Sequence, residues 1–239
     1  MRVVAIIQAR MGSSRLPGKV MRKVLGKPLI AYQLERVRRA ANIDEIMIAT
    51  TTEKNDDPIV TFCEEEKVPY YRGSEHDVLS RYYHAARSAG ANVIVRLTSD
   101  CPLIDPAVIE KIAGAYSGSS AYVSNVVKRT FPRGMDVEVF SMELLEMMYH
   151  EATSERDREH VTTFIREQPD RFQLCDITNG TDYSKYRLTV DTIEDFTVIR
   201  KIIEYLYPSN PSFTLDDVIN LLNRHPDLLK INAHIEQKR

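Results

Sequence analysis

The chain has 239 residues, of which 43% are hydrophobic and 28% charged, and its net charge is -2. This near balance gives no global reason to bind nucleic acid or a membrane surface, so any anion-binding site has to be local. No segment has the roughly 20 consecutive apolar residues of a membrane-spanning helix. Three cysteines without a CxxC pair favour a reducing, cytoplasmic compartment over a disulfide framework.

Strands and helices alternate through the first half of the chain. Short apolar runs predict strands at residues 3–7, 45–50, 68–73 and 92–98. Apolar residues at helical spacing predict helices at 27–40, 56–66, 77–90 and from Pro106 onward, with Asp105 as the N-cap of the last. This order indicates an α/β fold with a mostly parallel sheet covered by helices on both faces.

The second half is less regular. The patterns predict strands at 121–126, 136–140, 171–177 and 186–190, and helices at 142–152 and 155–167. Thr192 with Asp195, and Thr214 with Asp217, have the spacing of capping boxes at two further helix starts. We expect a single domain over residues 1–239 with a small inserted β arm around 120–140.

The loop after the first predicted strand combines three cations with small residues. Residues 8–19 read QARMGSSRLPGK and place Arg10, Arg15 and Lys19 among glycines and serines. Ligands of open parallel sheets bind beyond the carboxyl ends of the strands, so this loop is expected to line a site for phosphate groups. Neither GxxxxGK[ST] nor GxGxxG occurs in it, which weighs against a P-loop ATPase and a dinucleotide dehydrogenase.

Two aspartates also follow predicted strands. Asp100 comes just after the strand at 92–98, and Asp191 follows the strand at 186–190. A carboxylate beside a phosphate site is repelled unless a cation bridges the two, so the sequence predicts Mg²⁺ at Asp100 with Asp191 as a second ligand. Asp195 fits the helix cap better and is expected to be structural.

The segment QARMGSSRLPGK resembles the signature of the sugar-activating cytidylyltransferases, the family of the CMP-sialate and CMP-Kdo synthetases, and most closely its spore-coat polysaccharide group. The segment YRLTVDTIEDF resembles a late VDTPEDL motif of that family, with Ile193 at the place of the proline, and the likeness gives Asp191 as a metal ligand. The resemblance implies a three-layer, Rossmann-like nucleotidyltransferase fold that binds CTP and Mg²⁺. It also implies a homodimer.

The same resemblance assigns a set of residues to the nucleotide. They are Gln8, Ala9, Arg10, Gly12, Ser13, Ser14, Arg15, Lys19, Arg72, Asp77, Arg81, Arg96 and Thr98. Lys19, Arg15 and Asp100 are the expected catalytic residues. A solvated helix terminus is the alternative for the group at 72–81, and an ion pair with an acid is the alternative for Arg96.

Four residues are expected at the acceptor. Arg133 suits the carboxylate of an acidic sugar, and Asp136 or Glu138 suits sugar hydroxyls. His160 lies in a segment, REHVT, that resembles the spore-coat relatives. The alternative for Glu138 is an edge-strand charge, and the alternative for His160 is an ordinary helix residue. The charged neighbours of His160, including Glu159, are expected to form a solvated face.

These observations favour a CTP-dependent enzyme that transfers CMP to a sugar or sugar acid. Two alternatives remain open. A glycosyltransferase would usually carry a DxD metal motif, whereas this chain has SDCP after the strand at 92–98. A non-catalytic nucleotide-binding partner is the second alternative, and Asp100 and Asp191 weigh against it.

Overall fold

One sheet of seven strands lies at the centre of the computed structural model, which describes residues 1–118 and 122–236. The strands in chain order are β1 (Val3–Gln8), β2 (Lys23–Val24), β3 (Lys27–Pro28), β4 (Glu45–Thr51), β5 (Tyr70–Gly73), β6 (Val93–Thr98), β7 (Tyr122–Ser124), β8 (Glu138–Ser141) and β9 (Leu174–Asp176). The sheet order is β5-β4-β1-β6-β8-β7-β9, while β2 and β3 form a separate antiparallel pair. Within the described part of the sheet, β8 alone runs against its neighbours, which confirms the predicted mostly parallel, mixed sheet.

Helices cover both faces of this sheet. They are α1 (Leu29–Val37), α2 (Asp57–Glu65), α3 (Val78–Ser88), α4 (Pro106–Gly114), α5 (Met142–Glu151), α6 (Glu155–His160), α7 (Thr163–Arg166), α8 (Ile193–Leu206), α9 (Leu215–Arg224) and α10 (Asp227–Asn232). Alternate residues of β1 enter two separate cores, with Ile7 packing on the side of α1, α4 and α8, and Ile6 on the side of α3 and α5. The expected three-layer architecture is confirmed. None of the helices described is long and apolar enough to cross a membrane.

The predicted helix starts are confirmed where a side chain caps the helix. Asp105 accepts a hydrogen bond from the backbone of Ala107 at the start of α4. Thr192 with Asp195 forms a capping box at α8, and Thr214 with Asp217 forms another at α9. These bonds satisfy backbone N–H groups that have no partner within the helix. Because each bond joins residues close in sequence, the helix starts could be predicted from the sequence alone.

The single helix predicted at 155–167 is wrong, because the chain breaks into α6 and α7 at Val161. Val161 is fully buried and has a positive φ of 60°. The next residue, Thr162, donates its hydroxyl to the carboxylate of Glu138 at 2.6 Å. The buried side chain and this long-range hydrogen bond outweigh the local helical preference.

Two further expectations for strands need correction. The segment at 186–190 is extended but is not a strand of the sheet, and its one ladder contact is an isolated bridge between Arg187 and Arg133. The strands expected to flank an inserted arm are β7 and β8, which both belong to the central sheet. The small antiparallel pair lies instead at β2 and β3. Residues 119–121 of the expected arm lie outside the described residues, and the single-domain organisation stays a prediction.

Gly134 allows the extended segment to pack against the loop before β8. Its φ is +100°, and a Cβ built on it would lie 2.5 Å from the backbone oxygen of Leu188. We expect Gly134→Ala to lower the free energy of unfolding by about 2 to 4 kcal/mol, from the strained backbone and the clash together. Urea unfolding measures this, with Gly180→Ala as the matched control, since a Cβ there meets no atom within 4 Å. Equal stability of the two variants would contradict the packing described.

Candidate active site

The cationic loop after β1 is held in place by its own backbone and by Asp56. The oxygen of Met11 accepts hydrogen bonds from the N–H groups of Ser13 and Gly18, both at 2.9 Å. The N–H of Met11 donates to the Asp56 carboxylate at 2.6 Å. Gly18 adopts a φ of 67° where the loop enters a short turn of 3₁₀ helix. The loop is therefore a preformed structure, and its cations are held near the sheet without a ligand.

Two chain segments bring the aspartates to the same place. Thr98, the last residue of β6, pairs with Gln8 of β1, so Asp100 follows at the edge of the sheet where the cationic loop begins. The extended segment reaches this edge because the N–H of Val190 donates to the backbone oxygen of Asp100 at 2.8 Å. That bond places Asp191 beside Asp100, although 91 residues separate them in sequence.

Lys19 connects the two carboxylates. Its Nζ lies 3.2 Å from Oδ2 of Asp100 and 2.9 Å from Oδ1 of Asp191. The other oxygen of Asp191 lies 3.0 Å from a guanidinium nitrogen of Arg15 and 3.0 Å from one of Arg187. The fully buried Asp195 pairs with Arg187 and accepts from the N–H of Asp191, as expected of a structural residue. Two of the three predicted cations, Arg15 and Lys19, thus meet the predicted acids in one ion cluster, whereas Arg10 pairs with Glu75.

The ion cluster shifts the pKa values of Lys19 and Asp191 in opposite directions. Burial alone lowers the pKa of Lys19, but the charges of Asp100 and Asp191 outweigh this and raise it above 10.5. Burial alone raises the pKa of Asp191, but Lys19, Arg15 and Arg187 outweigh this and lower it below 3.8. Both groups are therefore charged at neutral pH, and their attraction is largest there.

The stability that Asp191 contributes has a definite pH dependence. Because its folded-state pKa is lowered, the contribution is full above the usual value of 3.8 and is lost as the pH falls through the folded pKa. We expect Asp191→Asn to be less stable than the natural chain at neutral pH and the difference to shrink below about pH 4. Urea unfolding at a series of pH values measures it. A difference that grows toward acid would contradict the ion cluster.

A cavity of about 310 Å³ opens beside this cluster, and most of the predicted nucleotide residues line it. The predicted residues in its wall are Gln8, Ala9, Arg10, Gly12, Ser13, Ser14, Arg15, Lys19, Arg81, Thr98, Asp100 and Asp191. Arg81 is almost fully buried, donates to the backbone oxygen of Ser74 at 2.6 Å, and has a buried Nε without a partner among the described residues. We call this space the nucleotide cavity.

A second cavity, of about 430 Å³, holds three of the residues predicted at the acceptor, and we call it the acceptor cavity. Arg133, Asp136 and Glu138 line it, together with Arg96, which was expected at the nucleotide. Arg96 forms an ion pair with Glu138, which also accepts from Tyr122 at 2.5 Å. The alternative of an ion pair is therefore the one found for Arg96. Thr98 lines both cavities and marks where they adjoin.

Three predicted site residues lie away from these two cavities. Arg72 donates to the backbone oxygens of Thr51 and Glu53 and ties β5 to the end of β4. Asp77 caps α3 and pairs with Arg158. His160 is exposed at the last residue of α6. For Asp77 and His160 the structure favours the alternatives given above, whereas Arg72 lies in a strand and not at the helix terminus that was its alternative.

The structure also adds residues that the sequence did not single out. Ser99 and Glu159 line the nucleotide cavity, and Glu159 is at the same time exposed to solvent, as expected of it. Arg129 and Arg166 line the acceptor cavity.

The aspartates suit a magnesium ion better than a softer metal. Lys19 already shows that both carboxylates converge on one positive group. The described residues contain no group of three or more His, Cys, Asp or Glu side chains that could hold a metal by themselves. Mg²⁺ typically takes one or two carboxylates and completes its shell with phosphate oxygens and water, so this donor set fits it.

Comparisons with known proteins agree with this geometry. Residues 4–230 match the family model described as cytidylyltransferase. The chain is 33% identical to the spore coat polysaccharide biosynthesis protein SpsF of Bacillus subtilis, over 94% of this chain and 95% of the relative. A solved cytidylyltransferase from Leptospira borgpetersenii superposes over the whole of both chains, with a TM-score of 0.92 and 33% identity. A CMP:2-keto-3-deoxy-manno-octonic acid synthetase complexed with CTP has a TM-score of 0.66 at 18% identity, over 85% of this chain and 99% of the other.

Proposed function

The chain belongs to the cytidylyltransferase family, and on that premise we propose that it transfers CMP from CTP to a hydroxyl of a sugar or sugar acid and releases pyrophosphate. The spore-coat relative supports a role in the biosynthesis of a surface polysaccharide. Membership of the family makes the chain a nucleotidyltransferase. The choice of CTP draws support from the solved relative that is complexed with CTP.

The observation that carries this proposal is the meeting of Arg15, Lys19, Asp100 and Asp191 at one cavity. Three cations from one short loop suit the four or so negative charges of a nucleoside triphosphate. A nucleotide-sugar donor carries less charge and would leave part of this positive loop without a partner. A non-catalytic binding protein has no need for two aspartates in contact with the phosphate-binding lysine.

The residues have separate roles in the proposed reaction. Arg15 and Lys19 bind the phosphates and stabilise the charge that develops on the leaving pyrophosphate. Asp191 orients both cations before the substrate arrives, because it contacts each of them at about 3 Å. The acceptor cavity adjoins the nucleotide cavity at Thr98, so an acceptor hydroxyl there is close to the transferred phosphate. Positioning of the two substrates supplies a large part of the rate.

Asp100 and Asp191 are the residues that would hold Mg²⁺. When bound, a magnesium ion neutralises phosphate charge and favours in-line displacement at the α-phosphorus. The amino group of Lys19 lies between the two carboxylates and bonds to an oxygen of each. Binding of the triphosphate therefore requires Lys19 to exchange its carboxylate partners for phosphate oxygens.

The proposal is tested with the purified protein and the four ribonucleoside triphosphates. Thermal shift with each triphosphate and Mg²⁺ is expected to single out CTP. Pyrophosphate release is then measured with CTP and a panel of acceptors that includes 2-keto-3-deoxy-manno-octonic acid. Release of a nucleoside diphosphate from a nucleotide sugar would favour a glycosyltransferase instead. Tight CTP binding without turnover on any acceptor would favour a non-catalytic partner.

Two further properties of the protein are also proposals. We expect the protein to act as a homodimer, with the arrangement tested by sedimentation. We expect it to work in the cytoplasm, where CTP is made. The roles proposed for the site residues depend on neither expectation.

A further inference from the structure

Asn232 is a buried amide on α10 that donates to two residues in contact with Asp191. The helix α10 packs against α8, and Asn232 is 4% exposed. Its Nδ2 donates to Oδ1 of Asp195 at 2.9 Å and to the backbone oxygen of Arg187 at 3.1 Å. An amide nitrogen has two N–H groups, so both donors of this buried side chain have a partner. Asn232 therefore joins α10 to the first turn of α8 and to the extended segment at 186–190.

Asp195 and Arg187 hold both the backbone and the side chain of Asp191. Oδ1 of Asp195 accepts from Asn232 and also from Nε of Arg187, at 2.8 Å. Oδ2 of the same carboxylate accepts from the N–H of Asp191 at 3.0 Å. Nη2 of Arg187 donates to Oδ2 of Asp191 at 3.0 Å. Asn232 thus contacts the two residues that set the orientation of Asp191.

Close packing does not fix the extended segment against α10 along its whole length. Residues 184–187 line a cavity of about 300 Å³ together with Leu229, Asn232 and Ala233. The hydrogen bond from Asn232 to the oxygen of Arg187 connects the two segments beside this space. Because side chains next to a cavity lose packing contacts, this bond has a larger part in fixing Arg187 than it would have in a filled core.

A neutral amide suits this position because the charges around Asp191 already balance. The ion pairs join three cations to three carboxylates, namely Arg15, Lys19 and Arg187 to Asp100, Asp191 and Asp195. A fourth cation in place of Asn232 would compete with a divalent metal ion for the carboxylates. The amide supplies hydrogen bonds without a charge, so it orients the aspartates and leaves their charge available.

We propose that Asn232 is a positioning residue that holds Asp191 in the orientation required to bind Mg²⁺ with the triphosphate. This inference rests on the proposed function, since it concerns the metal-bound substrate of that reaction. Side chains that orient metal ligands from outside the metal site typically change metal affinity by about 10- to 100-fold when they are replaced. The helix α10 is thereby part of the binding machinery, although none of its residues lines the nucleotide cavity.

The first test compares CTP binding by the natural chain and by Asn232→Ala, each with Mg²⁺ and again with EDTA. Calorimetric titration is expected to show about tenfold weaker binding of CTP by the variant with Mg²⁺. With EDTA we expect a difference within about twofold, because the phosphates then contact the cations of the loop alone. Asn220→Ala is the matched control, since it makes the same change at an exposed position of α9.

A double-mutant cycle separates positioning of Asp191 from a general structural role. In the Asp191→Asn background, Asn232→Ala is expected to weaken CTP binding with Mg²⁺ by no more than about twofold, because the ligand that Asn232 orients is already lost. A general structural role would weaken binding equally in both backgrounds. Asn232→Gln keeps the donors on a longer side chain and is expected to recover part of the affinity. If Asn232→Ala does not fold, Asn232→Leu, which keeps the volume and removes both donors, replaces it in the same titrations.

A second measurement needs neither nucleotide nor metal. The N–H of Asp191 is protected by its bond to Asp195, which Asn232 also contacts. We expect Asn232→Ala to speed hydrogen exchange in a peptide covering residues 186–195 by about tenfold, as mass spectrometry measures it, and to leave exchange in β1 unchanged. The Asn220→Ala protein is expected to exchange like the natural chain in both regions.

Three results would overturn the inference. One is an Asn232→Ala protein that binds CTP with Mg²⁺ as tightly as a natural chain that itself responds to Mg²⁺. The second is an equal loss of affinity in the Asp191→Asn background, and the third is unchanged exchange at 186–195. A natural chain that binds no CTP, together with faster exchange at 186–195 in Asn232→Ala, would contradict the proposed function and still support the positioning of Asp191 by Asn232.

Discussion

Replacing Lys19 with methionine is expected to lower the rate of pyrophosphate release from CTP by about a thousandfold. Lys19 is the cation that both aspartates hold, with its Nζ 3.2 Å from Asp100 and 2.9 Å from Asp191. Methionine keeps much of the side-chain volume and removes the charge that the leaving pyrophosphate needs. The rate is measured by a coupled pyrophosphate assay with an acceptor that supports turnover in the natural chain.

The matched control for this variant is Lys23→Met, which removes an exposed lysine four residues further along. Its rate is expected to stay within about twofold of the natural rate, since surface charges away from a site contribute little. Circular dichroism of both variants checks that the fold is kept. A Lys19→Met protein with the rate of the Lys23→Met protein would refute the role of Lys19 in catalysis.

The same variant also tests whether Lys19 and a divalent cation compete for the two carboxylates. In the ligand-free protein the lysine competes with a divalent cation for the two carboxylates, because like charges repel at this short distance. Lys19→Met is therefore expected to bind Mn²⁺ more tightly than the natural chain when no nucleotide is present. Electron paramagnetic resonance of Mn²⁺ measures this without any turnover. Weaker binding of Mn²⁺ by Lys19→Met would contradict the proposed exchange of partners.

Replacing Glu138 with alanine is expected to lower the free energy of unfolding by about 3 to 5 kcal/mol. Glu138 is 5% exposed and connects three elements through Arg96 on β6, Tyr122 on β7 and Thr162 before α7. Its pKa is lowered because the charges of Arg96 and Arg166 outweigh its burial, so it is a carboxylate at neutral pH. Alanine at this position leaves the buried guanidinium of Arg96 without its counter-charge.

Urea unfolding at neutral pH measures this loss. Glu65→Ala, at an exposed position near the end of α2, is the control and is expected to change stability by less than about 0.5 kcal/mol. Glu138→Gln keeps the shape of the side chain and some of its hydrogen bonds, so we expect a smaller loss than for alanine. A Glu138→Ala protein as stable as the control would show that the buried ion pair does not support the fold.

The site residues that were predicted correctly directly follow a strand of the central sheet. The cationic loop follows β1, and Asp100 follows β6, so the rule for the carboxyl ends of parallel strands placed both correctly. The helix caps at Asp105, Thr192 and Thr214 were predictable for a similar reason, because each is a bond within three residues.

The part that the sequence did not predict depends on contacts between distant residues. The segment at 186–190 has the alternation of a strand, yet its backbone bonds to loops, and that pairing carries Asp191 to the site. The break at Val161, after which Arg166 lines the acceptor cavity, lies next to the hydrogen bond that Thr162 donates to Glu138. Local periodicity contains no information about such bonds.

We propose that the cations of the loop and the two aspartates bind a metal-bound triphosphate together. Calorimetric titration of CTP into the natural chain and into Asp191→Asn, each with Mg²⁺ and again with EDTA, tests it most directly. We expect Mg²⁺ to tighten CTP binding to the natural chain by about tenfold or more, and to have little effect on Asp191→Asn. Equal tightening by Mg²⁺ in both proteins, or none in the natural chain, would contradict the account.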